Sequence, residues 1–91
     1  MNRSEFLQML ENKGYPEPVL VEWEPHGSLG EHTHPFEVKA LVTYGQIDIA
    51  IDGIQKSYSV GDVFHLSCNQ SHSENYGEQG VKYLASRKEP S

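Results

Sequence analysis

The dipeptide Asp52-Gly53 lies between two apolar runs, and this arrangement limits the possible folds more than any other feature of the chain. Upstream, Ile47, Ile49 and Ile51 alternate with Asp48 and Ala50; downstream, residues 54–60 read as the returning strand. Asp-Gly accepts the positive φ angles of a type I′ turn, whose twist matches that of two paired strands. Similar punctuation recurs along the chain. Residues 19–24 alternate as a strand ending at Pro25, 26–30 read as a loop, and 37–43 as a strand. Tyr44-Gly45 and Gly61-Asp62 read as turns, 63–66 as a short strand, and 67–71 as a polar loop. Residues 72–76 and 81–85 read as a last hairpin around 77–80. Short strands at regular spacing predict an all-β barrel or sandwich.

The first residues have a different period. Phe6, Leu7 and Leu10, with Met9 beside them, predict one apolar helical face over residues 2–13. Asn2 is placed to cap this helix with Glu5 three residues on, and Gly14, Pro16 and Pro18 are placed to end it. So short a helix is stable only when packed against something. The expected organisation is a helix and connector over 1–16, a barrel over 17–87 and a polar tail over 88–91, with Arg87 already tail-like.

Charge and size narrow the partners. Ninety-one residues form one domain with a modest core, about 60–65% of the unfolded surface being buried. Thirteen acidic against seven basic residues, a net charge of −6, oppose binding to nucleic acid or to an anionic membrane. A single cysteine, Cys68, excludes an internal disulfide, and nothing at the start reads as a signal peptide, so a cytoplasmic location is expected. The small core, the open sheet edges and the apolar residues on both faces of 37–43 predict a homodimer.

The chemistry gathers at Glu31-His32-Thr33-His34-Pro35. In an extended chain His32 and His34 share a face and can converge on one ion, whereas on a helix they would diverge. His26 in the preceding loop is a further candidate, although an exposed loop histidine is the ordinary reading. His65, between Phe64 and Leu66, falls on the outer face, and Cys68 has no partner that would activate it. Tyr44, Tyr58, Tyr76 and Tyr83 are candidates to line a pocket.

Gly27-Ser28-Leu29-Gly30-Glu31-His32-Thr33-His34-Pro35 followed by Gly45 resembles the first motif of the cupins. Gly61-Asp62-Val63-Phe64-His65-Leu66-Ser67-Cys68-Asn69-Gln70-Ser71-His72 resembles their second. Over residues 19–85 the resemblance implies a double-stranded β-helix, the jelly-roll barrel. It also implies that His32, His34 and His72 face a divalent metal inside that barrel. The chain departs from the pattern in several places. Four residues rather than five separate Gly27 from His32, Ser67 and Asn69 stand for the usual Pro and Gly, and Tyr76 stands for Asn. Asn69 can adopt the left-handed conformation that a glycine would supply.

The largest departure is the metal-binding carboxylate, because the family's glutamate aligns with Val38. Glu37 is adjacent, but the phase of Val38, Ala40 and Val42 sends it outward, and only a β-bulge would bring it in. Glu74, two residues after His72, has the inward phase and is the candidate ligand or catalytic base; otherwise it is a solvated charge near a turn. Three imidazoles favour zinc, iron, nickel or copper, and manganese less once a carboxylate is lost.

Two readings of function follow. One is a small metal-dependent enzyme acting on a small organic molecule in the barrel, by oxygenation, isomerisation or cyclase-type chemistry. The other is a non-catalytic metal- or ligand-binding module, an accessory or sensor; a metal-free barrel is a third case. Trp23, Val38, Ala40, Val42, Phe64, Leu66 and the three isoleucines are expected inside the barrel, with Asp48 and Asp52 exposed.

Overall fold

The computed structural model describes residues 1–90 and consists mostly of antiparallel strands with one short helix. Helix α1 spans Arg3–Asn12 and opens with the expected capping box: the Glu5 backbone N–H donates to Asn2 Oδ1, and the Asn2 N–H donates to Glu5 Oε1. Phe6 and Leu10 bury against Leu41 on the outer face of the sheet, so the helix covers a sheet face that would otherwise be apolar and wet. Leu7, expected on the same face, is exposed. The buried stripe follows the i, i+4 pair of Phe6 and Leu10, and Leu7 falls on its flank.

Six strands follow: β1 (Val19–Trp23), β2 (Ser28–His32), β3 (Glu37–Ile51), β4 (Ile54–Ser59), β5 (Val63–Leu66) and β6 (His72–Lys88). Three differ from the reading of the sequence. Residues 26–30 are not all loop, because Ser28 and Leu29 pair with Asn75 and Glu74. Tyr44-Gly45 does not turn the chain, and 77–80 do not close a hairpin; β3 and β6 each run on through these points. Arg87 and Lys88, expected in a tail, pair with Val38 and Glu37 as the end of β6. Each glycine site acts as a bend within a strand, since the ladder on either side has partners on both edges.

The two long strands divide the barrel. The opening stretch of β3 lies between β5 and the closing stretch of β6, which in turn pairs with β1. The closing stretch of β3 lies between β4 and the opening stretch of β6, which pairs with β2. These two four-stranded halves face each other. Val38, Ala40 and Val42 from one meet Ile47, Ile49 and Tyr76 from the other in a single core, with Phe64, Leu66, Val81, Tyr83 and Ala85. The inward phase expected for Val38, Ala40, Val42, Ile47, Ile49, Phe64 and Leu66 is present, and Ile51 packs half-buried at the end of its stripe. Glu37 points outward, where its Oε2 accepts from Tyr15 OH at 2.8 Å; burial and this carboxylate push the Tyr15 pKa up to about 12.

Two expected positions shift. Trp23 is not interior but 38% exposed, because it stands at the barrel mouth: its ring stacks on Tyr76 at 5.4 Å and its Nε1–H donates to Tyr83 OH at 2.9 Å. Asp48 is half-buried rather than exposed, being on a central strand between Ser57 and Asn75 and accepting from Gln46 Nε2. Asp52 is exposed and, with Gly53, has the positive φ angles of the expected tight turn. Among the described residues no helix is long and apolar enough to cross a membrane.

The fold bends where Gly45 crosses Gly80. Gly45 has φ +73°, and a Cβ there would stand 2.1 Å from the Gly80 carbonyl oxygen. A Cβ on Gly80 would stand 2.4 Å from the Trp23 carbonyl oxygen. Gly53 shares the positive φ but faces open space. Gly53→Ala should therefore cost only the conformational term, about 1–2 kcal/mol. Gly45→Ala must also push a pair of strands apart and should lower the melting temperature at least twice as far, by roughly 10 °C or more. Thermal unfolding followed by circular dichroism compares the two directly, and equal shifts would mean that the crossing tolerates a side chain.

Candidate metal centre

Three elements bring the site together. His72 opens β6 and is almost wholly buried; Glu74 follows at the same strand phase and is only 6% exposed. His32 ends β2, paired with His72. The pairing between β2 and β6 shifts between Leu29 and His32, and this bulge decides which side chain enters the barrel. Leu29 lines the interior, so strict alternation would next turn Glu31 inward and His32 outward. The extra residue reverses that phase. His32 points in, and Glu31 accepts from Ser71 Oγ on the outside. His34 lies just past the strand, held from behind: its carbonyl accepts from the Asn69 N–H at 2.7 Å, tying the two motif loops together. Asn69 has φ +60°, the left-handed conformation expected of it.

His32, His34, His72 and Glu74 each place one donor atom within 4.8 Å of the others. The imidazole centroids are 4.3 Å apart for His32 and His72, 4.9 Å for His32 and His34, and 5.2 Å for His34 and His72. Backbone carbonyls set the tautomers. His32 Nδ1 lies 2.6 Å from Gly30 O and His72 Nδ1 lies 3.0 Å from Gln70 O, and a carbonyl can only accept. In each neutral ring the proton is on Nδ1 and the Nε2 lone pair faces inward.

The inward hydrogen bond between His72 Nε2 and Glu74 Oε2 then needs a second proton on His72, and without it that side holds only acceptors. His72 Nε2 is 3.1 Å and His32 Nε2 3.4 Å from Glu74 Oε2. His32 Nε2 is buried with no hydrogen-bond partner among the described residues, since the 3.4 Å approach lacks hydrogen-bond geometry. Lone pairs on three sides of a small space repel unless a cation or an extra proton lies among them. Three nitrogens and a carboxylate oxygen are also an ordinary donor set for a divalent transition ion, so the residues present fit such an ion.

Glu74 is not the solvated charge that its place near a turn allowed. Its Oε1 accepts from Tyr76 OH at 3.1 Å, which leaves Oε2 for the cluster. Burial and the Glu74 charge push the Tyr76 pKa far above its ordinary value, so the phenol stays a donor. Burial likewise pushes Tyr83 up to about 12, against the lowering effect of its bond from Trp23. His34 is lowered from its usual value, first by burial and then by the positive forms of His72 and His32. Arg87 adds to that lowering.

His26 lies outside the cluster, exposed in a left-handed turn before β2. His65 lies on the outer face, 3.9 Å from Glu37, and the half-buried Cys68 thiol is free. Of the four tyrosines, Tyr83 lines the cavity, Tyr76 anchors Glu74, Tyr58 packs on Phe64, and Tyr44 is exposed. The cavity beside the cluster has a volume of about 90 Å³. Its walls are mainly apolar, from Trp23, Phe36, Val38, Phe64 and Leu66 among others, with Arg87 at the rim. Arg87 was missed in sequence. The alternation Val81, Tyr83, Ala85 carries forward to an inward phase at 87, and its apparent place in a tail hid that signal.

No protein-family model matches the sequence, and no curated protein matches it. Solved structures do match. A cupin superfamily protein from Desulfitobacterium hafniense superposes with a TM-score of 0.69 at 18% identity, covering 78% of this chain and 64% of its own length. The chain has the cupin fold. KdgF from a Halomonas species gives 0.67 at 17% identity, with 80% and 69% covered. A protein of unknown function from Rhizobium leguminosarum gives 0.72 at 14%, with 90% and 89% covered. The chain thus spans under two thirds of the Desulfitobacterium protein but nearly all of the Rhizobium one. In this cupin fold β3 offers the barrel Val38 where the motif resemblance implies a carboxylate, and β6 supplies Glu74 instead.

Two measurements check the geometry. Tyr76→Phe should leave the fold intact yet weaken metal binding about tenfold, because it frees the carboxylate that the phenol holds. Titration of apo-protein with zinc or cobalt reads this directly. Since folding depresses the His34 pKa, the unfolded chain binds the proton more readily. Stability of the metal-free protein should therefore fall as pH drops below about 6.5 and level off beneath the lowered value. Denaturant melts of wild type and His34→Gln at several pH values should show the flatter profile in the variant.

Proposed function

We propose that this chain is a small metal-dependent cupin in which His32, His34, His72 and Glu74 hold one divalent transition ion and a small organic molecule binds beside it. The observation that carries the reading is the buried His32 Nε2, without a hydrogen-bond partner among the described residues and facing other lone pairs. The His32 and His72 rings are oriented by carbonyls behind them, an arrangement typical of histidine ligands. Glu74 restores the negative charge lost at Val38, which removes the reason for disfavouring manganese beside zinc, iron, nickel or copper. Such an ion would supply Lewis acidity, an activated water or, if redox-active, dioxygen chemistry.

The chain's own residues do the rest. Tyr76 keeps Glu74 oriented, Trp23 and Phe36 wall the mouth, and the apolar lining suits the hydrocarbon part of a small molecule. With Oε1 bonded to Tyr76 and Oε2 in the cluster, Glu74 serves as a ligand rather than a free base. That commitment favours, as a second reading, a binding or sensing module without turnover. Val19 and Leu20, 57% and 55% exposed on the edge strand β1, suit a homodimer contact in either case.

Elemental analysis of protein purified without an affinity tag or added metal should find about one transition ion per chain. His34→Ala should lose most of it, and full retention would remove His34 from the site. Glu74→Gln should bind the ion at least tenfold more weakly, whereas unchanged affinity would return Glu74 to a structural role. Light scattering at micromolar concentration should give twice the chain mass; a monomer would rule the dimer out.

A further inference from the structure

We propose that the small molecule bound beside the metal is an organic carboxylate, and that Arg87 is the residue that selects it. This inference rests on the metal reading above. Arg87 follows the inward phase of β6 and stands at the rim of the cavity whose inner end carries His32, His34 and Glu74. Among the described residues no carboxylate lies within ion-pair distance of its guanidinium. Its cross-strand partner is Val38, the position at which the motif resemblance implies a glutamate. A carboxylate there would face Arg87 across the ladder and compete for it. Valine leaves the guanidinium available to something that enters from outside.

The guanidinium is also held in place. It lies 5.1 Å from the centre of the Phe36 ring, and Phe36 stacks on His34 at 5.2 Å with planes 13° apart. One aromatic ring therefore connects the arginine to a ligand of the metal. Cation–π contact restrains the arm while leaving its N–H fork free for planar, bidentate recognition. Charge points the same way. A divalent ion with one glutamate retains one positive charge, and Arg87, one aromatic ring away from His34, adds another to the lining of the same pocket. Arg87 is exposed and needs no counter-ion of its own, but both positive charges attract an anion into the pocket and repel a cation. Size limits the rest. A cavity of about 90 Å³ is well below the roughly 300 Å³ at which pockets begin to engulf drug-sized ligands. The ligand is either a few heavy atoms in all, or a larger molecule that inserts only its acid end.

The test is calorimetric titration of zinc-loaded protein with glycolate, malonate, glycolamide and inorganic phosphate, with metal content measured on every sample. Glycolate or malonate should bind at least tenfold more tightly than glycolamide. Arg87→Gln should lose that preference while keeping its metal, and Arg87→Lys should keep some of it. Equal binding of acid and amide, or an Arg87→Gln variant that binds the acids as well as wild type, overturns the proposal. Tighter binding of phosphate than of either acid overturns the carboxylate assignment. If wild type takes up no metal, the metal reading fails separately. The same titrations of metal-free protein then decide for Arg87, since a discrimination absent there as well would leave the arginine without the role.

Discussion

The ladder between β3 and β6 is the contact on which the rest of the structure depends. Both strands pass through the two halves of the barrel, so each half inherits its centre from the same pair. The remaining strands add only at the flanks, β1 and β2 to β6, and β4 and β5 to β3. Because the strands are continuous, an inward phase set in one half governs the other, except where a bulge resets it. Shifts near Gly45 and the 77–80 segment perform that reset, and the absence of a Cβ at Gly45 lets the backbones approach. The core and the candidate site are therefore two results of one pairing pattern.

The site itself is organised by what surrounds the donors. Burying a carboxylate against imidazole lone pairs costs heavily unless a positive charge shares the space. Gly30 and Gln70 carbonyls fix two rings from behind, and Tyr76 fixes Glu74 from one side. Trp23 stacks on Tyr76 and bonds Tyr83, so the mouth of the barrel and the support of Glu74 are mechanically one unit. A change at the rim would be felt at the donors through that stack.

Much of this was legible in the chain. The Asp52-Gly53 turn, the phase of Val38, Ala40 and Val42, the capping box and the shared face of His32 and His34 follow from short-range pattern, while His72 joined them only through the motif resemblance. Glu74 was legible as a phase but not as a buried group, because burial depends on β2 lying alongside. The bends at Gly45 and Gly80 read as turns because glycine in sequence looks the same whether a chain reverses or crosses closely. The bulge before His32 was invisible for a related reason. It exists only relative to the partner strand, and nothing in residues 28–32 alone says where that strand stops.

The continuous β3–β6 ladder has a consequence for the order in which the molecule assembles. The β3–β4 hairpin closes over two residues and can form within about 1–10 µs. Pairing of β2 with β6 joins residues 28–32 to 72–75, and such distant contacts come late in chains of this topology, on a scale of about milliseconds to seconds. Three of the four donors, His32, His72 and Glu74, lie on that late pair of strands. A nascent chain would therefore hold a formed hairpin well before it brought the four candidate donors together. The pairings that enclose the apolar core, Val19 with Ala85 and Glu37 with Lys88, reach at least as far along the chain, so core and donors come together in one late closure and an ion held as proposed would lock both at once.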